Sequence, residues 1–181
     1  MTAPAVPERG LPVTRADAFR SLAERHLDAS YRLARAILHD PAEAEDATHD
    51  ALLKAWRMWS TLRDSARFEQ WFSKILVNTC RDRLRRTSAH PSSDLSTTLV
   101  LRDPHDPFTE SGERNELGSA LAMLSPDHRV VVALRFYRGL TIDGIARQLG
   151  IPSGTVNSRL HYALKRLRQL IDTPERKGTL R

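Results

Sequence analysis

Residues 141–168, TIDGIARQLGIPSGTVNSRLHYALKRLR, constrain this chain more than any other stretch. Apolar residues recur there at helical spacing in two blocks, Ile145 and Leu149 in the first, Val156, Leu160, Leu164 and Leu167 in the second. Ala146 is small where two helices would cross closely, and Gly150 stands where the turn between them needs a permissive backbone. The pattern predicts a helix, a tight turn and a second helix with a basic end. Such a helix-turn-helix can lay its second helix in a DNA major groove. Thr141 is expected to cap the first helix and Ser153 the second. Thr155, Asn157, Ser158, Arg159 and His161 fall in the early turns of that second helix, where side chains reach bases and phosphates. Lys165, Arg166 and Arg168 follow as candidate phosphate contacts.

Composition narrows what surrounds this motif. The chain has 181 residues, enough for one ordinary domain or two small ones. Its net charge of +6 and pI near 10.1 favour a polyanionic partner. No apolar run is long enough to cross a bilayer, so direct membrane insertion is not expected. The opening MTAPAVPERGLP lacks the basic start and apolar core of a signal peptide, and a cytoplasmic protein is expected. A single cysteine, Cys80, excludes an internal disulfide framework, and in its helical context it reads as a small packing residue. The seven histidines are scattered, and no nucleophile or metal constellation stands out. The chain therefore reads as a non-enzyme with no cofactor.

The distribution of charge divides the chain. Residues 1–86 hold 15 Lys/Arg against 12 Asp/Glu, and residues 113–181 hold 12 against 6, while residues 87–112 hold 1 against 4. That middle stretch is rich in Ser, Thr, Pro and Asp without sustained periodicity, apart from a Leu99-Val100-Leu101 patch that could dock. The expected fold is all-α, with two small helical domains at 14–86 and 113–172, a flexible linker at 87–112 and a tail at 173–181.

The first domain is announced by its helix caps. Thr14 and Asp17 form a capping box ahead of an apolar face with Phe19, Leu22, Tyr31, Ala34 and Leu38. Asp40-Pro41-Ala42-Glu43 opens a second helix, in which Asp40 caps, Pro41 needs no amide hydrogen bond and Glu43 is placed to bond back. This helix is expected to run to about Trp59 and to bury Ala44, Ala51, Leu52 and Ala55. Its other face carries Glu43, Glu45, Asp46, His49, Asp50 and Lys54. A third helix is expected to begin near Ser65, with Phe68, Trp71, Phe72, Ile75, Leu76, Thr79 and Leu84 on one side. Lys74, Asn78, Arg81, Asp82, Arg85 and Arg86 lie on the other, a basic, hydrogen-bonding face suited to a nucleic-acid strand. In the second half, Ser125-Pro126-Asp127 starts a helix containing Val131, Leu134 and Phe136.

Taken in order, three segments resemble the sigma factors of bacterial RNA polymerase, in particular the extracytoplasmic-function (ECF) group of the sigma-70 family. PAEAEDATHDALLKAW at 41–56 is similar to region 2.2, the surface that holds the clamp helices of the polymerase's largest subunit. FEQWFSKILVNTCRDRLRR at 68–86 is similar to regions 2.3 and 2.4, which open and read the −10 element. LTIDGIARQLGIPSGTVNSRLHYALKRLR at 140–168 is similar to region 4.2, which reads the −35 element. The resemblance implies that Asp46 and Asp50 hold the polymerase core, with Glu43 and Glu45 at the edge. It implies that Arg63, Asp64, Ser65, Trp71, Lys74, Asn78, Arg81, Arg85 and Arg86 serve −10 recognition and melting, with a base flipped into a pocket beside the 60–67 loop. It assigns Thr155, Asn157, Ser158, Arg159, His161, Lys165 and Arg166 to the −35 element. The implied partners are the polymerase core, promoter DNA and, as often in the family, an anti-sigma protein.

Three positions depart from the family pattern. Gly144 stands where an acidic residue is frequent, so Thr141 lacks a reciprocal capping partner. Asn157 replaces a frequent arginine, which moves the geometric preference from guanine or phosphate toward an adenine edge. His49 replaces a common glutamine. Two other readings fit less of the chain. An autonomous helix-turn-helix regulator leaves the 41–86 match without a role, and a decoy that only binds an anti-sigma protein leaves the strand-reading residues at 74–86 unexplained.

Overall fold

The computed structural model describes residues 14–89 and 112–172, and every regular element among them is helical. The linker patch Leu99-Val100-Leu101 and the tail at 173–181 lie outside the described residues. The helices are α1 (Arg15–Leu38), α2 (Pro41–Met58), α3 (Phe68–Ala89), α4 (Gly112–Ala122), α5 (Pro126–Val132), α6 (Ile142–Leu149) and α7 (Ser153–Ile171). None of them is long and apolar enough to cross a membrane.

Helices α1, α2 and α3 form the N-terminal unit. Thr14 and Asp17 make the expected capping box. At the far end His39 takes a left-handed conformation (φ 60°), and Asp40 caps α2 through the Glu43 amide at 2.9 Å. The chain thus turns between α1 and α2 within two residues. Ala44, Ala47, Ala51 and Ala55 form a fully buried ladder along α2. A ladder of methyl groups lets α2 approach α1 and α3 closely, so that larger side chains from those helices fill the space above it. Leu33, Ile37, Phe68, Phe72 and Leu76 supply that volume, each 1% exposed or less.

The connection to α3 differs from expectation. Trp59 belongs to a 3₁₀ turn (Trp59–Thr61), and a second 3₁₀ turn (Ser65–Arg67) precedes α3, which starts at Phe68. Asp64 caps the second turn through the Ala66 amide at 2.9 Å. This tight geometry delivers Phe68 into a ring cluster with Phe19, Trp59, Trp71 and Phe72, at centroid separations of 5.6–6.0 Å. Helix α3 continues to Ala89, past the expected domain end at Arg86.

In the C-terminal unit, Ser125 and Pro126 open α5 as expected, with the His128 amide donating to Ser125 Oγ. The helix then widens into a π-helical segment, Ala133–Tyr137, in which Arg138 N–H reaches back five residues to the Ala133 carbonyl. An added residue per turn shifts the side-chain register. Leu134 is buried while Phe136 is 63% exposed. Thr141 caps α6 through the Gly144 amide at 3.1 Å. A Cβ at position 144 would lie 3.2 Å from that same Thr141 Oγ, so the glycine leaves the cap room. Gly150 adopts φ 67°, the left-handed turn expected between α6 and α7. Ser153 does not cap α7. Pro152 holds the cap position with no side-chain bond, and Ser153 Oγ instead donates to Asp143 at 2.6 Å, tying α7 to α6.

The two units pack against each other through α1 and α3 on one side and α5 and the π-helical segment on the other. At their junction lies Arg129, 8% exposed. Its guanidinium donates to the carbonyls of Ala122 at 2.6 Å and Leu124 at 3.2 Å, and across the junction to Ile37 at 3.2 Å. Ile37 and Ala122 sit in the last turns of α1 and α4, where carbonyls lack helical partners and the helix dipole is negative. Burial pushes the Arg129 pKa down, and the side chain faces carbonyl dipoles in place of a carboxylate. Arg129→Met keeps the length and removes every donor, stranding buried carbonyls. It is expected to lower stability by about 2–3 kcal/mol in urea denaturation followed by circular dichroism. An unchanged midpoint would show that water replaces the guanidinium.

Candidate nucleic-acid interface

The acidic face of α2 is organised by a single cation from α3. Glu43, Asp46 and Asp50 recur at helical spacing and surround Arg83. The guanidinium reaches Glu43 at 2.8 Å, Asp50 at 2.7 Å and Asp46 at 3.7 Å. Glu43 was expected to bond back to its own helix start; the stronger charge-assisted bond to Arg83 takes it instead. The hydrogen bond from Arg83 holds the Asp50 carboxyl below the usual carboxylate range. Burial alone would lower the Arg83 pKa, but its bonds to Asp50 and Glu43 outweigh that and raise it. Glu45 and His49 are exposed on the same helix, outside this cluster. Arg83 was absent from the candidates drawn from sequence. Its position one turn beyond Thr79 carries no signal of an acidic neighbour 33–40 residues away.

On α3, Trp71, Lys74, Asn78, Arg81 and Arg85 follow one stripe at alternating spacings of three and four residues. Lys74, Asn78, Arg85 and Arg86 are exposed, while Trp71 is half-buried against Phe68. Arg81 is largely withdrawn: its side chain is 15% exposed and pairs with Asp127 of α5 at 3.5 Å. Arg63, Asp64 and Ser65 stand exposed in the turns before α3, and Asp64 also pairs with Arg67 at 3.5 Å. Beside this stripe opens a cavity of about 500 Å³ lined by Thr61, Leu62, Arg63, Asp64, Arg67, Gln70, Trp71 and Lys74. Its remaining wall comes from Arg147 and Gln148 of α6, two residues that sequence reasoning did not connect with this site.

On α7, Asn157, Ser158, His161, Lys165 and Arg166 are exposed, and Thr155 is half-buried. Val156, Leu160, Ala163 and Leu167 hold the opposite face against the core. Arg159 departs from its expected groove-facing place. It turns toward α5 and pairs with Asp127 at 2.7 Å. Cys80 is fully buried and its thiol is pushed up to about 12 by desolvation, consistent with a packing role. Among the described residues, no group of three or more His, Cys, Asp or Glu is placed to hold a metal ion.

The Asp50 shift has a definite pH signature. A carboxyl whose folded pKa is depressed adds stability above its ordinary value of 3.8 and loses it as pH falls through the lowered value. Arg83→Ala removes the cause. Wild type is therefore expected to be more stable than Arg83→Ala at neutral pH, with the gap shrinking as pH falls below the ordinary aspartate range. Paired urea titrations at several pH values check this, and a pH-independent gap would assign the loss to packing.

Comparison with known proteins accounts for both halves. Residues 22–90 match the model for sigma-70 region 2, and residues 120–169 match the model for sigma-70, region 4. The chain is 35% identical over 163 residues to the ECF RNA polymerase sigma factor SigL of Mycobacterium tuberculosis, covering 88% of this chain and 92% of that protein. It is 32% identical over 152 residues to the RNA polymerase sigma-E factor of Streptomyces coelicolor, covering 83% of this chain and 84% of that protein. Among solved structures, the sigma factor RpoE from Bartonella quintana, in complex with the anti-sigma factor NepR, aligns at TM-score 0.67 and 26% identity, covering 86% of this chain and 97% of RpoE. CnrH in complex with the cytosolic domain of CnrY aligns at TM-score 0.61 and 25% identity, covering 87% of this chain and 90% of CnrH. The chain belongs to the ECF group of the sigma-70 family, and as a sigma factor it binds RNA polymerase and recognises promoter elements.

Proposed function

We propose that the two halves divide the work of a sigma factor along the surfaces described above. The acidic face of α2, with Asp46 and Asp50 at its centre and Glu43 and Glu45 at its edge, meets the clamp helices of the polymerase's largest subunit. Charge on such a face contributes more to orientation and encounter than to net affinity. Arg83 keeps three of these carboxylates together without covering them, since Asp46 remains 69% exposed and Asp50 47% exposed.

The stripe on α3 takes the separated −10 strand. The observation that carries this is the cavity beside Trp71 and Lys74, which joins an aromatic wall to basic and hydrogen-bonding groups. A base leaving the stack needs such a pocket to recover its stacking and hydrogen bonds. Arg63 and Asp64 supply donors and acceptors in its wall, with Ser65 exposed next to them in the chain, Asn78 offers both to a base edge, and Arg85 and Arg86 guide the backbone. Helix α7 takes the −35 element through Thr155, Asn157, Ser158 and His161, with Lys165 and Arg166 toward phosphates. Arg81 and Arg159 join these two sets once they leave Asp127. An anti-sigma protein is a further partner, by likeness to the RpoE–NepR complex. The work is placed in the cytoplasm, where the polymerase is.

Purified polymerase core tests the reading. The chain is expected to co-purify with core and to confer promoter-dependent opening of duplex DNA. The double variant Asp46→Asn/Asp50→Asn is expected to weaken the core complex about tenfold, a loss of about 1.4 kcal/mol, with both halves still folded. Asn78→Ala is expected to impair opening with little change in core affinity, and Asn157→Arg to change −35 preference. Core affinity untouched by the double variant would remove the acidic face from the polymerase contact.

A further inference from the structure

One large side chain on the helix proposed for the −35 element has no part in the core and none in the contacts assigned above. Tyr162 of α7 is 59% exposed, while its neighbours Leu160 and Ala163 carry the packing of that turn. A single exposed tyrosine is ordinary on a protein surface. Its position on this helix is what makes it informative. Ser158, Tyr162 and Lys165 stand at i, i+4 and i+7, all exposed, so the tyrosine shares a stripe with two residues proposed to face DNA. Val156, Leu160, Ala163 and Leu167 hold the buried side of the helix.

The ring is also held. Tyr162 and His161 meet edge to face, with ring centroids 5.6 Å apart and planes at 78°. Adjacent residues on a helix diverge by about 100°, so these two rings lean toward each other, and Ser158 lies one turn earlier at an angle between them. Helical side chains tilt toward the N-terminus, and a long one covers the turn before its own Cα. The pair therefore flanks the turn that carries Asn157 and Ser158, in the part of a recognition helix that reaches base edges.

Chemistry then selects the base. Among the four bases only thymine presents a methyl group in the major groove. A tyrosine has one hydroxyl and no forked donor pair, so it does not read a purine edge as arginine or asparagine does. Its apolar ring matches the C5-methyl, with the hydroxyl left at the wet end.

We infer that Tyr162 is a specificity residue that reads a thymine methyl group in the −35 element. The inference rests on the reading of α7 as the −35 helix and adds a base preference to it. Asn157, in the turn that the ring flanks, favours an adenine edge. Together the two side chains tilt the element toward A·T pairs where they meet it, while Lys165 contributes affinity without sequence.

The test uses holoenzyme assembled from purified core and the full chain. Its probes are duplexes with a randomised −35 element upstream of a −10 element taken from a promoter that the wild type opens. Wild type is expected to select a thymine at one position where Tyr162→Ala shows no preference, with the other selected positions retained. Deoxyuridine in place of that thymine removes only the methyl group. It is expected to weaken wild-type binding about fourfold, the worth of one buried methyl, and to leave Tyr162→Ala binding unchanged. Tyr162→Phe keeps the ring and is expected to keep both the selection and the deoxyuridine effect. Circular dichroism confirms that each variant keeps its helix content. Identical selection by Tyr162→Ala, loss of preference for a base other than thymine, or a deoxyuridine effect that survives the truncation overturns the assignment. A loss of affinity that is uniform across sequences overturns it too, since that is the behaviour of a phosphate contact. Wild-type holoenzyme that selects no −35 sequence at all sinks the reading of α7 itself. Selection that Tyr162→Ala leaves untouched sinks only the role of Tyr162.

Discussion

The relation between the two halves depends on how one buried cation is satisfied. Arg129 lies where α1 and α4 end, and helix ends leave carbonyls that need donors. A guanidinium offers five N–H groups in a fixed plane, which lets one side chain serve carbonyls from separate elements at once. Ala122 and Leu124 position it within its own half, and Ile37 draws it across to the other. Because the acceptors are dipoles in place of a carboxylate, the contact is directional without being neutralised. It therefore sets how the C-terminal unit sits on α1, and the placement of α5 and α6 against α3 follows from it.

The surface of α3 carries two charge arrangements of opposite sense. Around Arg83, one cation gathers three carboxylates from α2. Around Asp127, one carboxylate gathers two arginines, from α3 and α7. In the first case the acids stay exposed enough to meet a partner, and the arginine lowers their mutual repulsion. In the second the carboxylate draws both arginines in from solvent, leaving them 15% and 24% exposed. The same pairing chemistry thus leaves carboxylates in solvent at one place and withdraws guanidinium groups from it at the other. The difference lies in which member of the pair remains in solvent.

Much of the fold was legible from local chemistry. Thr14 with Asp17, Asp40 before Pro41, Ser125 before Pro126, Thr141 and Gly150 all occupy the helix ends at which their side chains or backbone preferences place them. The spacing of Ala44, Ala51 and Ala55 identified the buried face of α2, and that of Val156, Leu160 and Leu167 identified the buried face of α7. Expectation failed where another partner competed with a local rule. Ser153 has the right chemistry for a cap, but Asp143 claims its hydroxyl. Glu43 could have closed a capping box, but Arg83 offers a full charge. The π-helical segment at Ala133–Tyr137 leaves no trace in a 3.6-residue pattern and turns Phe136 outward.

The candidate site divides along the same line. Sequence by itself determined the helices, their caps, the helix-turn-helix and the exposed residues Lys74, Asn78, Asn157 and Ser158, because helical periodicity sorts solvent faces from core faces over a few turns. Only the tertiary structure decided that Arg83 binds the α2 acids, that Gln148 meets Ser73, and that Arg81 and Arg159 share Asp127. These pairs join residues 32 or more positions apart, and an arginine on a helix surface has the same local pattern whether it faces water, DNA or a distant carboxylate. Which of these it meets is settled by packing, and here packing is governed by where the helix ends fall and what satisfies them.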